Sequence, residues 1–292
     1  MSAPRTGSTE RRRREARAGL VLVAPALLAI GVFFILPVLA AFVLSFTDFD
    51  IYGVADPGTA RFVGVRNYTD LVRDPVFWAA LRNPFVFVLA GGPLTVSAAL
   101  GTALLLDAKL ARLKGLFRTL YFAPVVTTLV AVATVWRYLY HPRYGLLNHV
   151  LGWFGLGPVD WLADPHWAMP AIILMAVWKN FGYSMVIFLA GLQNIPSQLY
   201  EAARIDGAGA WARFRHVTLP MLVPTFVFIG IITTIGYFQL FAEPYVMTNG
   251  GGPLNATLSV ALFMYKQGFR WWAMGRAAAI AFVLFVIILA AS

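Results

Sequence analysis

Six apolar runs punctuate this chain, at Gly19 to Phe46, Pro84 to Leu106, Leu120 to Tyr140, Met169 to Leu192, Leu222 to Phe241 and Trp271 to Ala291. Each has about the 20 residues that a helix needs to cross the hydrocarbon core of a bilayer. Lipid offers backbone N–H and C=O groups no partner, so such runs satisfy themselves as helices. The pattern predicts an all-α, polytopic membrane protein with six transmembrane helices. The first run is too long for the apolar core of a signal peptide, which has roughly 7 to 15 residues. Pro25 and Pro37 predict kinks in it, and Gly91-Gly92-Pro93 predicts a bend or break in the second. Tyr68 to Leu81 has helical spacing ahead of the second run. Residues 1–18 read as a basic tail, expected to be disordered, and residues 19–292 as the membrane domain. The chain closes on apolar residues without a basic flank, as a chain stopping at the membrane face or a truncated one would.

The longest polar interruption in the second half that still reads as ordered covers residues 195–220, between the fourth and fifth runs. Ser197 follows Pro196 and is placed to cap a helix from Gln198. Leu199, Ala202 and Ala203 share one face of that helix, and Glu201 and Asp206 are its acids. Gly207 accepts the left-handed conformation that ends a helix. A second short helix fits Ala210 to Thr218, with Trp211 and Phe214 one turn apart, and Pro220 ends it. Two short helices thus make an elbow between two spans.

At these residues the chain resembles the permease subunits of ABC importers. Glu201-Ala202-Ala203, then Gly207, then Leu219-Pro220, is similar to their cytoplasmic "EAA" signature. Tyr200 to Gly209 and Phe214 to Leu222 resemble the carbohydrate-uptake branch, which includes maltose-, lactose- and glycerol-phosphate-type importers. Phe62-Val63-Gly64-Val65-Arg66-Asn67-Tyr68 and Asn249-Gly250-Gly251-Gly252-Pro253 resemble it too, so the likeness runs from about Phe62 to the C-terminus. The resemblance implies the first permease of a sugar-importing pair, not itself an enzyme and holding no cofactor. It implies that the elbow is a coupling element that meets an ATPase through Glu201, Ala202, Ala203, Arg204, Asp206 and Gly207. The implied partners are a second, similar permease, two copies of a cytoplasmic ABC ATPase binding ATP and magnesium, and an extracytoplasmic solute-binding protein. The implied setting is the plasma membrane of a prokaryote.

Composition agrees with a membrane protein, since the 292 residues are 60% hydrophobic and only 12% charged, against about 25% charged in a soluble domain. The net charge of +10 would suit nucleic acid, but its placement argues for lipid instead. Arg5, Arg11, Arg12, Arg13, Arg14 and Arg17 precede the first run. Lys109, Arg112, Lys114 and Arg118 lie between the second and third, and Arg204, Arg213 and Arg215 lie in the elbow. The positive-inside rule then puts the N-terminus and the elbow in the cytoplasm. The absence of cysteine excludes disulfides and thiolate metal sites. The four histidines show no i, i+4 pairing that would suggest a metal. No G-x-x-x-x-G-K-[ST] loop is present to cradle a nucleotide.

No Asp or Glu falls within any predicted span. Ion-coupled carriers and membrane-embedded acid–base enzymes use such carboxylates. Their absence counts against a stand-alone secondary carrier or facilitator for a small polar solute, and against a lipid-linked sugar transferase. Lys179 is the charge in a span best placed for function; it reads either as functional or as snorkelling to the outer surface. Asn180 and Tyr183 beside Trp178, and Tyr237 and Gln239 on the fifth span, pair hydrogen-bonding groups with aromatic faces. Sugars present hydroxyl edges and apolar C–H faces, so these five residues are the candidate substrate path. Helix-packing polar contacts are the other reading. Arg137 is placed to reach the outer interface, and Trp153, Trp161 and Trp167 suit an interfacial layer.

Overall fold

The computed structural model describes residues 7–56, 58, 60–108 and 113–292. Arg5, Lys109 and Arg112 lie outside the described residues. In chain order the α-helices are α1 Gly7–Ile30, α2 Leu36–Leu44, α3 Ile51–Ala55, α4 Arg66–Arg73, α5 Pro75–Val86, α6 Gly92–Asp107, α7 Lys114–Val126, α8 Leu129–Leu139 and α9 Leu146–Trp153. They continue with α10 Pro165–Gln193, α11 Ser197–Ile205, α12 Ala210–Arg213, α13 Leu219–Met221, α14 Val223–Phe238, α15 Ala242–Met247, α16 Val260–Tyr265 and α17 Met274–Ala291. Among the described residues the only extended pairing is a single bridge between Thr47 and Phe62. The expected disorder of the tail is corrected from Gly7 onward, where α1 already begins. Glu, Arg and Ala are good helix formers, and a helix once nucleated in the apolar run extends into them at little cost.

Three of the five-residue π turns recur in one register. They cover Gly31–Ile35, Phe87–Gly91 and Phe214–Thr218, and Pro37, Pro93 and Pro220 follow each at the same offset. A proline ring collides with the carbonyl four residues earlier and donates no N–H. Widening the preceding turn moves that carbonyl away, so the helix passes the proline without breaking. This corrects two expectations. The second span is not broken at Gly91-Gly92-Pro93 but runs from Pro75 to Asp107 as one helix. Nor does Pro220 end the second arm of the elbow; that arm continues to Met221 and bends by 62° into α14 at Leu222, just ahead of Pro224.

The third span, by contrast, is two helices, α7 and α8, meeting at 99°. Val125, Val126, Thr127 and Thr128 are all β-branched, and Thr127 and Thr128 take extended ψ angles of 140° and 139°. Thr127 Oγ1 donates to the Ala123 carbonyl at 3.2 Å, competing with the next helical N–H for that acceptor.

Helix α10 is the axis of the fold. Asp164 caps it, accepting from His166 N–H at 2.8 Å, and Pro165 supplies a pre-set first turn. Its buried side chains join two cores. One forms with Phe87, Val132, Trp136, Tyr140 and Leu240; the other, toward the elbow, forms with Ala99, Ala103, Leu222 and Ile229. A third core ties Leu71, Phe77 and Ala80 to α16 and α17. Two asparagines act as clasps. Asn67 Nδ2 donates to Ser45 O and Thr47 O at 2.9 and 2.8 Å, and holds the end of the first span. Asn83 Nδ2 donates to Asn255 O and Leu258 O at 2.9 and 2.8 Å, and holds the glycine-rich outer loop. Asn249, Gly250, Gly251 and Gly252 all have positive φ, and a Cβ on Gly252 would lie 2.8 Å from Thr257 Oγ1.

Asp74 caps α5 at Val76 N–H, 2.8 Å, and pairs with Arg276 of α17 at 2.5 Å. The two side chains are 19% and 30% exposed, and Arg276 Nε is buried without a partner. Asp74→Ala removes the cap and strands the guanidinium. We expect a loss of about 2 to 3 kcal/mol, between an N-cap deletion and the breaking of a fully buried pair. Thermal unfolding in detergent checks this, and Asp74→Asn with Arg276→Met should recover part of the loss.

Candidate functional site

The elbow is built by local chemistry. Ile195 is buried and anchors its base. The expectation that Ser197 caps α11 is corrected: Pro196 occupies the capping position with φ −59° and ψ 130°, makes no side-chain cap, and Ser197 is the first helical residue. The stop at Gly207 is found, with φ +77°. Its N–H donates to Arg204 O at 3.0 Å, and the Ala208 N–H reaches back to Ala203 O at 2.8 Å, satisfying carbonyls that the helix end would orphan. Arg213 Nη1 donates to Ala208 O at 2.8 Å, and the Tyr200 and Thr218 hydroxyls meet at 3.0 Å, so the two arms are locked together. The Trp211 and Phe214 rings pack one turn apart, tilted by 35° with 5.5 Å between centroids.

What this rigid knob presents is mostly outward. Glu201, Ala202, Arg204, Asp206 and Gly207 are exposed, while Ala203 is half-buried. Ile205 at the tip is 86% exposed and Trp211 71%, so the knob carries apolar surface as well as charge.

The membrane candidates divide into two groups. Tyr237 is buried, its ring 4.6 Å from that of Phe87 and closed on by Gly91, where a Cβ would come within 3.1 Å. Its hydroxyl meets Thr95 Oγ1 at 2.6 Å. Spans two and five thus meet at one hydroxyl. Tyr183 and Gln239 remain on exposed surface.

Lys179 does not reach the outer surface. It is buried, and Nζ donates to Pro124 O at 3.3 Å and Val125 O at 3.4 Å, capping the broken end of α7. Arg137 stays exposed at the outer end of its span, as expected, and donates to Val246 O at 3.3 Å in the last turn of α15. Lys179 therefore does not snorkel, whereas Arg137 keeps its head at the outer end.

Glu243 falls just beyond the fifth run, where hydropathy does not mark it as a membrane residue. Burial pushes its carboxyl up from the ordinary value, while N–H groups at Glu243 and Phe241 and the Lys179 charge hold it down. The legible signal was an acid among Phe241, Pro244 and Tyr245, within reach of the span end. Thr95 had no signal beyond being one hydroxyl in an apolar run. A cavity of about 980 Å³ beside α10 is lined mainly by Val86, Ala90, Leu94, Met169 and Ile173. None of the five candidate path residues lines it.

Known proteins of this shape and sequence share a trade. The lactose transport system permease protein LacF of Rhizobium radiobacter is 39% identical over 274 residues, covering 92% of this chain and 90% of that one. The trehalose/maltose transport system permease protein MalF of Thermococcus litoralis is 35% identical over 276 residues, covering 94% and 91%. A chain of the bacterial alginate ABC transporter, solved in complex with an alginate pentasaccharide-bound periplasmic protein, has the same fold. Its TM-score is 0.77 over 97% of this chain and 94% of that one, at 22% identity. Residues 11–292 match the model of one family, and the chain belongs to it: the binding-protein-dependent transport system inner membrane components.

Proposed function

We propose that this chain is the first permease of an ATP-driven importer that moves a sugar or sugar derivative into the cytoplasm. The observation that carries the reading is the locked, outward-facing elbow between α10 and α14. An importer must convert closure of distant nucleotide sites into movement of its spans, and a rigid knob joined to two of them does so. Glu201 can make a charge-assisted bond in a cleft of an ATPase, Ala202 and Ala203 allow close approach, and Ile205 adds apolar contact. ATP and magnesium belong to two copies of that separate ATPase, so this chain is not the enzyme. A second, similar permease completes the pore, and an extracytoplasmic binding protein delivers the sugar. The N-terminus and the elbow face the cytoplasm. Asn180, Tyr183, Tyr237 and Gln239 line the path, with Lys179 and Glu243 at its edge. The relatives named for lactose and trehalose/maltose support a sugar as cargo.

The test is Ala203→Trp. Its indole would wedge between knob and cleft, and uptake should fall by about tenfold or more, with less ATPase copurifying and normal membrane insertion. Parental uptake with the ATPase still bound would end the coupling assignment.

A further inference from the structure

The outer segment between α8 and α10 is built inside out. Its centre is polar: Asn148 is buried and makes four hydrogen bonds. Nδ2 donates to Pro142 O at 3.1 Å and Val159 O at 2.8 Å, while Oδ1 accepts from Val159 N–H at 3.1 Å and Trp161 Nε1 at 2.9 Å. Two donors and two acceptors are all an amide offers, so Asn148 fixes the segment fully. Its large apolar groups point away from that centre. Tyr144, Leu146, Trp153, Phe154 and Leu156 are each between 57% and 75% exposed. A rigid segment presenting five such groups together is not an ordinary solvated loop.

Two features say what covers it. The patch is continuous with the apolar flank of the third span: Tyr138 and His141 line one crevice, and the His141 ring stacks on Tyr144 at 3.4 Å. Beside it, Arg143, His149 and Trp153 line a cleft of about 950 Å³ that has no acidic residue. Aromatic and aliphatic groups next to a cation, at the level where spans end, match the headgroup boundary of a bilayer. We infer that residues 143–156 are an interfacial anchor: Tyr144, Leu146, Trp153, Phe154 and Leu156 enter the outer-leaflet boundary, and Arg143 and His149 face the lipid phosphates. Trp161, bonded inward to Asn148, is not part of it.

The lack of cysteine makes the test direct. Phe154→Cys and Leu156→Cys each carry an environment-sensitive fluorophore in the full transporter, with partner cysteines replaced, in nanodiscs of phosphatidylethanolamine and phosphatidylglycerol. The expected result is blue-shifted emission, quenched by acyl-chain doxyl lipid and shielded from iodide, whether or not binding protein is present. Emission open to iodide overturns the anchor. So does shielding that develops only on adding sugar-loaded binding protein, which would make the patch a protein-docking surface. Nanodiscs leave both faces open, so this outcome does not depend on the orientation proposed above. A reporter fused at Gly157 tests that orientation separately.

Discussion

Gly182→Ala should lower the unfolding midpoint of the detergent-solubilised protein by about 5 °C or more. A Cβ on Gly182 would lie 2.0 Å from the Tyr121 carbonyl oxygen, 2.8 Å from its carbon and 3.3 Å from Phe122 Cα. All three are backbone atoms of α7, so no side chain can swing aside. Relief requires moving α7 off α10, at a cost of about 3 kcal/mol or more, the upper end of overpacking. Two glycines nearby serve as controls. At Gly91 the nearest atom is Tyr237 Cε2, 3.1 Å away, and a ring can shift by a few tenths of an ångström, so Gly91→Ala should cost less. At Gly92 nothing lies within 4 Å, so Gly92→Ala should be near neutral. If Gly182→Ala unfolds at the same temperature as Gly92→Ala, the close crossing of α7 and α10 is wrong.

How far the sequence could be read follows from what hydropathy encodes. Apolar runs mark what lipid tolerates, so the existence and order of the spans were legible. The elbow was legible because Gly207 and the prolines are backbone signals, independent of neighbours. The break in the third span was not. Val125 to Thr128 is as apolar as a continuous helix, and the fork is fixed by Thr127 and by Lys179 from another element. The π turns were invisible for the same reason, since they change the helix pitch without changing composition. Polarity singled out Tyr237, whose hydroxyl the structure buries against Thr95. It did not reveal that Thr95 is the partner, because one hydroxyl among several in an apolar run carries no pattern.

Lys179→Met should destabilise the protein by about 2 to 5 kcal/mol and also impair uptake. The last four carbonyls of a helix lack intrahelical partners. At the end of α7, Ala123 O is served by Thr127 Oγ1, and Pro124 O and Val125 O by the Lys179 ammonium. Methionine keeps the volume of lysine and removes only the donor. Two part-buried carbonyls then lose their donor, at about 1 to 3 kcal/mol each, since lipid offers none to replace it. The Glu243 carboxyl on α15 also loses a positive neighbour. Lys179→Arg separates donor from shape. Its guanidinium can serve both carbonyls, but it is planar where the ammonium is compact, so it should recover stability more fully than transport. That split decides between roles. If stability and uptake fall and recover in parallel through Met and Arg, Lys179 is a structural cap alone. If Lys179→Arg unfolds like the parent yet transports poorly, the ammonium also serves the path. A Lys179→Met protein with parental stability would remove the junction altogether, since α7 would then end without the two bonds that hold it to α10.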